Sequence, residues 1–322
     1  MGKPLVNEGS GRVGVPLEPD WPIVFLPSGS ASSHRASPFV AIVRSPAELS
    51  RWLSEPSPGL QWLQVEGLLQ DPDAWAPATH STSTVPLDVV MANPASEFSD
   101  LYRLVDTFAV RDVRVSMPAS PGFLKALKVA VALRLPVRLL PGQPSSEVPI
   151  ELIEAINFYL RDPMVETPVE FFHSVLASMC GAGDGSLWMI LEEDPALFLH
   201  REVDGGFNVR GVSSSPSPSI LDPTVLAGLA SEAAPKNLFS ATFVDTWFKR
   251  LLGQDAECAT CPWQQICQGY FKWPDPAYDC EGVKQLFSAI ELVANEMGSE
   301  LAGRDHIGPE NELGKLGSIA TS

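Results

Sequence analysis

Apolar positions in this chain come in short blocks separated by polar or helix-patterned stretches. Between residues 22 and 142 the blocks are "PIVFLPSG" (22–29), "FVAIVRS" (39–45), "LQWLQVEGLL" (60–69), "PLDVVMAN" (86–93), "DVRVSMPA" (112–119) and "PVRLLPG" (136–142). Runs this short, rich in Val, Ile and Leu and bounded by Pro, Gly or Asn, predict strands buried on both faces. Helical patterns fill several of the gaps: "SPAELSRWLS", "SEFSDLYRLVDTFAV" and "PGFLKALKVAVALRL". In the second of these, Phe98, Leu101, Leu104, Val105 and Phe108 fall on one helix face. Strands alternating with helices predict βα units, a parallel sheet and an α/β fold.

The pattern then changes. "PIELIEAINFYLRD" and "PVEFFHSVLASMCGAG" predict two successive helices, with Pro168 in the first turn of the second. "LWMILEEDPALFLHREVDGGFNVRG" predicts a strand, a turn and a hairpin around Asp204-Gly205-Gly206. A Ser/Pro stretch, "SSSPSPS" (213–219), marks a linker. Beyond it, Val283, Leu286, Phe287, Ile290, Ala294 and Met297 share one face of a closing helix over about 281–297. Tails without apolar periodicity are expected at 1–21 and 299–322. The organisation predicted is an α/β domain over 22–212, the linker, and a small domain over 220–298.

Charge narrows the function classes. Lys and Arg number 22 against 39 Asp and Glu, a net charge of -17, which repels phosphate backbones and argues against nucleic acid. The opening residues show no secretory h-region, and no run is long and apolar enough to span a membrane, so a reducing cytoplasmic setting is expected. Against this background, residues 103–138 stand out with seven basic side chains (Arg103, Arg111, Arg114, Lys125, Lys128, Arg134, Arg138) and two acidic ones, Asp106 and Asp112. A solvated helix face is the plain reading, and a docking surface for an acidic partner chain is the sharper one.

Four of the five cysteines lie within "CATCPWQQICQGYFKWPDPAYDC", spaced C-x2-C-x5-C-x12-C at Cys258, Cys261, Cys267 and Cys280. In a reducing compartment such a cluster points to metal rather than to disulfides. Pro262 stiffens the C-x2-C turn, and Gly269 lets the chain fold close behind the third ligand. Four thiolates satisfy a tetrahedral Zn²⁺ or a [4Fe–4S] cube equally well by count.

"CATCPWQQICQGYF...DCEGVKQLF" resembles the C-terminal cysteine-rich segment of SPASM domains, which are appended to radical-SAM enzymes that mature peptides. The resemblance implies that Cys258, Cys261, Cys267 and Cys280 hold an outer auxiliary [4Fe–4S] cluster. Phe271 stands where the family places the cysteine that crosses to an inner cluster, so one ligand set is complete and the other missing. It also implies an incomplete (β/α) barrel upstream, with a C-x3-C-x2-C loop after the first strand. Here that loop reads "SASSHRASPF" and has no cysteine. The chain therefore looks like a pseudo-radical-SAM protein without S-adenosylmethionine chemistry. The function implied is a non-catalytic iron–sulfur accessory protein that recognises a precursor peptide or organises a catalytic subunit. An electron carrier or redox enzyme is one alternative and a zinc-stabilised interaction module another; a homo-oligomer stays open.

Other candidates have plainer readings. Cys180 reads as a small buried hydrophobe, and His173 lies too far from it for a dyad. His34, with Ser32, Ser33 and Arg35, reads as a solvated loop. Glu192, Glu193 and Asp194 read as an exposed turn or helix start. Trp263, Phe271 and Trp273 read as packing around the thiols.

Overall fold

In the computed structural model the described residues are 23–32, 34, 38–181, 185–201, 207–209, 212–213, 243–254 and 256–304. Both predicted tails fall largely outside this set, as does the linker beyond Ser213. The last helix, however, runs on to Arg304, past the expected start of the C-terminal tail.

All six predicted strands form, with trimmed ends: β1 (Ile23–Pro27), β2 (Phe39–Val43), β3 (Leu60–Glu66), β4 (Leu87–Val90), β5 (Val113–Pro118) and β6 (Val137–Leu140). Two more strands, β7 (Val169–Glu170) and β8 (Phe198–Arg201), complete a set of eight parallel strands. Their order is β8-β1-β2-β3-β4-β5-β6-β7. Each strand from β1 to β6 lies beside its successor, and β8 returns to pair with β1. This is the cyclic order of a (β/α) barrel in which, among the described residues, no ladder joins β7 to β8: a parallel half-barrel in an α/β fold. Beyond β8, antiparallel β9 (Phe207–Val209) and β10 (Val212–Ser213) extend the sheet, so the predicted hairpin forms; its turn lies outside the described residues.

Side chains alternate across the sheet as the pleat requires. Val24, Leu26, Ala41, Leu63, Val89, Val115 and Leu139 join the main core with helices α1 (Pro46–Ser54), α2 (Pro72–His80), α3 (Phe123–Ala132), α4 (Val148–Arg161) and α5 (Phe172–Met179). The opposite parity, Ile23, Phe25, Val40, Ile42 and Trp62, forms a second apolar cluster on the inner face. Helix starts follow their capping chemistry: Ser45 Oγ accepts from Glu48 N–H, and the Glu151 carboxylate accepts from the N–H groups of Gly122 and Leu124.

Three local expectations change. The predicted helix over 96–110 is a short α-turn (Pro94–Glu97), a 3₁₀ stretch (Phe98–Leu104) and another α-turn (Val105–Phe108). The three-residue spacing of Phe98, Leu101 and Leu104 suits a 3₁₀ helix, in which i and i+3 eclipse. Pro168 does not open a helix: Val169 and Glu170 pair with β6, and Phe171 turns the chain at φ +87° into α5. "LWMI" is a helical turn (Leu187–Ile190), since a wholly apolar run carries no period to distinguish the two states.

The cysteine segment does not stand apart from the sheet. Helices α6 (Phe243–Gln254) and α7 (Glu281–Arg304) flank it, and α7 packs on α4 and α5. Tyr270, Phe271, Trp273 and Phe287 belong to the same continuous core as the strands, so one core crosses the boundary that the Ser/Pro stretch suggested. Hydrogen bonds fasten the joint, among them Trp188 Nε1 to Gln268 O (3.1 Å), Tyr270 OH to Glu193 Oε2 (2.7 Å), Tyr278 OH to Pro144 O (2.8 Å) and Gln143 Nε2 to Phe271 O (2.9 Å). Among the described residues, no helix is long and apolar enough to cross a membrane.

Candidate functional site

Cys258, Cys261, Cys267 and Cys280 line one cavity, together with Phe248, Phe271, Val283, Phe287, Glu257, Lys272 and Lys284. None of the cysteines is in a disulfide. Among the described residues, no group of three His, Cys, Asp or Glu side chains is gathered as a single metal ion would require. The four thiols share one cavity wall.

The local fold explains how Cys267 faces this space. Residues 264–267 make one helical turn, and Gln268 and Gly269 then both adopt left-handed backbone, φ +44° and +72°. This reversal aims the N–H groups of Gly269, Tyr270 and Phe271 back at the Cys267 sulfur. Glycine at 269 is required twice over, by its φ and by space: a Cβ there would stand 2.3 Å from Leu251 Cδ1 and 3.1 Å from Trp247 Nε1. Trp247 Nε1 in turn donates to Gly269 O at 3.1 Å and holds the turn in place.

The thiols are poised against a dry wall. Burial pushes the Cys267 thiol up, more than its three N–H donors pull it down. Burial likewise pushes Cys280 up to about 12, against the pull of Lys272 and with a further push from Cys267. Both thiols are thus held in their protonated form at neutral pH. Lys272 Nζ is 2.8 Å from Glu257 Oε2, and Lys284 Nζ is 2.6 Å from Glu257 Oε1. The two lysines hold the Glu257 carboxyl below its usual range.

A second polar cluster, which the sequence pattern did not announce, lies on the inner face of the sheet. Asp88 of β4 accepts from Arg114 of β5 and Arg138 of β6, both at 2.8 Å. Ser116 Oγ bridges Asp88 and Arg138 Nε. Glu192, from the connection between the 187–190 turn and β8, accepts both Arg114 nitrogens at 2.7 and 2.8 Å and also pairs with Arg138. Burial alone would raise the Asp88 and Glu192 carboxyls, but the two guanidiniums overcome it and hold both low. Arg114 is pushed up in turn, its burial outweighed by Asp88 and Glu192. His200 of β8 stacks on Phe25 with ring centroids 4.0 Å apart, and burial, then Arg138, push it down to about 4.

This cluster dissolves the basic block as a surface. Arg114 and Arg138 point inward, and Arg111 is buried at 7% exposure with its guanidinium on Ser81 O and Val85 O. Arg103 pairs with Asp100 and Arg134 with Glu166, while Lys125 and Lys128 lie over Phe98 and Phe158. Alternation along the strands turns two of the basic residues inward, so the seven do not form a common docking face. The acidic trio changes in the same way: Glu192 is drawn into the inner network and Glu193 accepts from Tyr270, so neither is a free exposed turn. The missed partners Asp88, Ser116 and His200 carried a signal, since each is a polar residue at inward parity in an apolar strand.

The remaining candidates resolve individually. Cys180 is exposed rather than buried. His173 Nδ1 lies 3.3 Å from Tyr159 OH. His34 packs edge-on against Phe39, and Ser32 Oγ donates to Gly29 O; Ser33 and Arg35 lie outside the described residues. Trp263 stacks on Phe287 and Trp273 meets Trp247 edge-on, so the aromatic residues of the segment do pack together. No protein-family model, curated protein or solved structure matches the chain.

Proposed function

We propose that the protein is a non-catalytic holder of a [4Fe–4S] centre, a SPASM-like segment on a half-barrel, acting as an accessory partner in peptide modification. The observation that carries this reading is a shared cavity lined by four thiols, with three backbone N–H groups aimed at one of the sulfurs. A four-iron cluster takes one thiolate per iron, which the four thiols on this cavity wall could supply. N–H donors at a coordinating sulfur stabilise its negative charge. Phe248, Phe271, Val283 and Phe287 give the cavity an apolar wall beside the sulfurs.

When bound, such a centre supplies a covalent brace for a loop-rich segment and a site that can hold one further electron. With all four thiolates committed it offers no open coordination position. The loop after β1, where radical-SAM enzymes carry three cysteines, has none here, which supports an accessory role. Gly269 and the Gln268 turn hold the Cys267 donors in place, and Trp188 and Tyr270 anchor the segment to the barrel.

The test is metal and acid-labile sulfide on anaerobically purified protein. The expected result is about four irons and four sulfides per chain. They should be lost on changing Cys258, Cys261, Cys267 or Cys280 to Ala and kept in Cys180→Ala. One zinc without sulfide would instead make the segment a structural knuckle and remove the link to peptide maturation.

A further inference from the structure

We propose that Lys272, with Lys284 held beside it by Glu257, is the built-in counter-charge of the four-thiolate centre. This inference rests on a centre being bound by the four cysteines, but not on whether it contains iron or zinc. A doubly positive core ringed by four thiolates carries two net negative charges in either case. Burying that charge against Phe271, Phe287 and Val283 is costly unless cations stand beside it.

The cavity wall supplies them in an unusual arrangement. Among the described residues its charged side chains are Glu257, Lys272 and Lys284, one negative and two positive. Glu257 gives one carboxylate oxygen to each lysine, at 2.8 and 2.6 Å, and so fixes both ammonium groups on the rim. Lys272 is the more committed of the two: its side chain is 5% exposed, against 30% for Lys284. Lysine is rarely buried to this degree, and a dianionic centre beside it would stabilise the ammonium there. Two ammonium groups fixed on the rim beside four thiols have the sign and placement that the centre requires. Lys272 already acts on Cys280, and Lys284 feels both Cys261 and Cys280, so the two ammoniums bear on the thiols of the cavity through space.

Lys272 is accordingly a positioning residue for charge, not a ligand. The experiment uses the full chain, anaerobically purified, as wild type, Lys272→Met, Lys272→Arg, Lys284→Met and Glu257→Gln. Metal and sulfide content is measured first, then the rate of metal loss to a chelator (bathophenanthroline for iron, pyridylazoresorcinol for zinc). For iron-containing protein the midpoint potential is read by dye-mediated titration, dithionite supplying the single electron.

Lys272→Met is expected to lose its centre on the order of tenfold faster, the usual cost of removing a group that supports the ligands. Its potential should fall, because one cation fewer stabilises the added electron. Lys272→Arg should restore both, and Lys284→Met should show the same trend more weakly. Glu257→Gln should move both readings the opposite way, which keeps the inference testable if Lys272→Met fails to fold. A bound centre with unchanged loss rate and potential in all variants would overturn it. Glu257→Gln and Lys272→Met shifting in the same direction would also overturn it, by showing packing rather than charge. Wild type with zinc and no sulfide would sink the iron reading alone, since zinc loss still tests the counter-charge; wild type with neither metal would sink both.

Discussion

Two polar clusters are buried in this protein, and they are finished to different degrees. On the inner face of the sheet, Asp88 and Glu192 meet Arg114 and Arg138, two negative against two positive, and Ser116 fills a remaining position. Every charge there answers another from the same chain. In the cysteine cavity the Cys267 and Cys280 thiols are pushed up by burial, donors point at the Cys267 sulfur, and among the described residues the lysines outnumber the carboxylate. The inner cluster closes its own charge on the sheet face, whereas the cysteine cavity sets two ammonium groups beside four thiols. Both are rich in residues that suggest chemistry, and the balance of charge tells them apart.

The comparison can be broken most forcefully at Asp88. Asp88→Asn leaves two buried guanidiniums sharing Glu192 alone, and an unfolding free-energy loss of about 3–5 kcal/mol is expected in a urea titration. A loss under about 1 kcal/mol would mean that the network is not charge-tight after all. Next comes Gly269→Ala in the other cluster. The methyl group meets Leu251 and the backbone is held at φ +72°, so about 1–3 kcal/mol should be lost, with a matching fall in bound metal. Retained metal in a destabilised variant would separate the turn from the site.

Acid sensitivity sharpens the inner cluster further. The fold holds His200 neutral down to about 4 against an ordinary 6.5, with Arg138 and Glu192 as the charged groups acting on it. The unfolded chain therefore binds the extra proton first, and stability present above pH 6.5 is lost as pH falls towards 4. Asp88 and Glu192, held low, stay ionised through that window. The melting temperature should drop between pH 7 and 4 in wild type and less in His200→Gln; equal drops would assign the effect elsewhere. The smallest effect is expected at the surface. Arg103→Ala removes an exposed pair with Asp100 and should change stability by less than about 0.5 kcal/mol, within error of the wild-type melt.

Much of the scaffold is legible in the sequence. The blocks "FVAIVRS" and "DVRVSMPA" form β2 and β5 because β-branched runs bounded by Pro and Ser have few other stable states. The four-cysteine spacing points to one centre, and the fold brings those four thiols to one cavity. "LWMI" and the start at Pro168 are not legible, because a run without a period, or a two-residue strand, is decided by what it packs against. The basic block fails to make a face for a related reason. Sequence proximity puts seven cations together, whereas the pleat sends Arg114 and Arg138 to one side of the sheet and the helices send Arg103, Lys125 and Lys128 to the other.

By itself, then, the sequence determined the alternation of strands and helices, the parity that separates inner from outer side chains, and the thiol spacing. These depend on backbone periodicity and residue type within a few positions. Tertiary structure alone decided which charges would be neutralised. Glu192 reaches Arg114 across 78 residues and Arg138 across 54, and Tyr270 reaches Glu193 across 77. No local pattern encodes such pairings, because the free energy of a buried charge is set by the groups that surround it in space, and those are known only once the chain has closed around them.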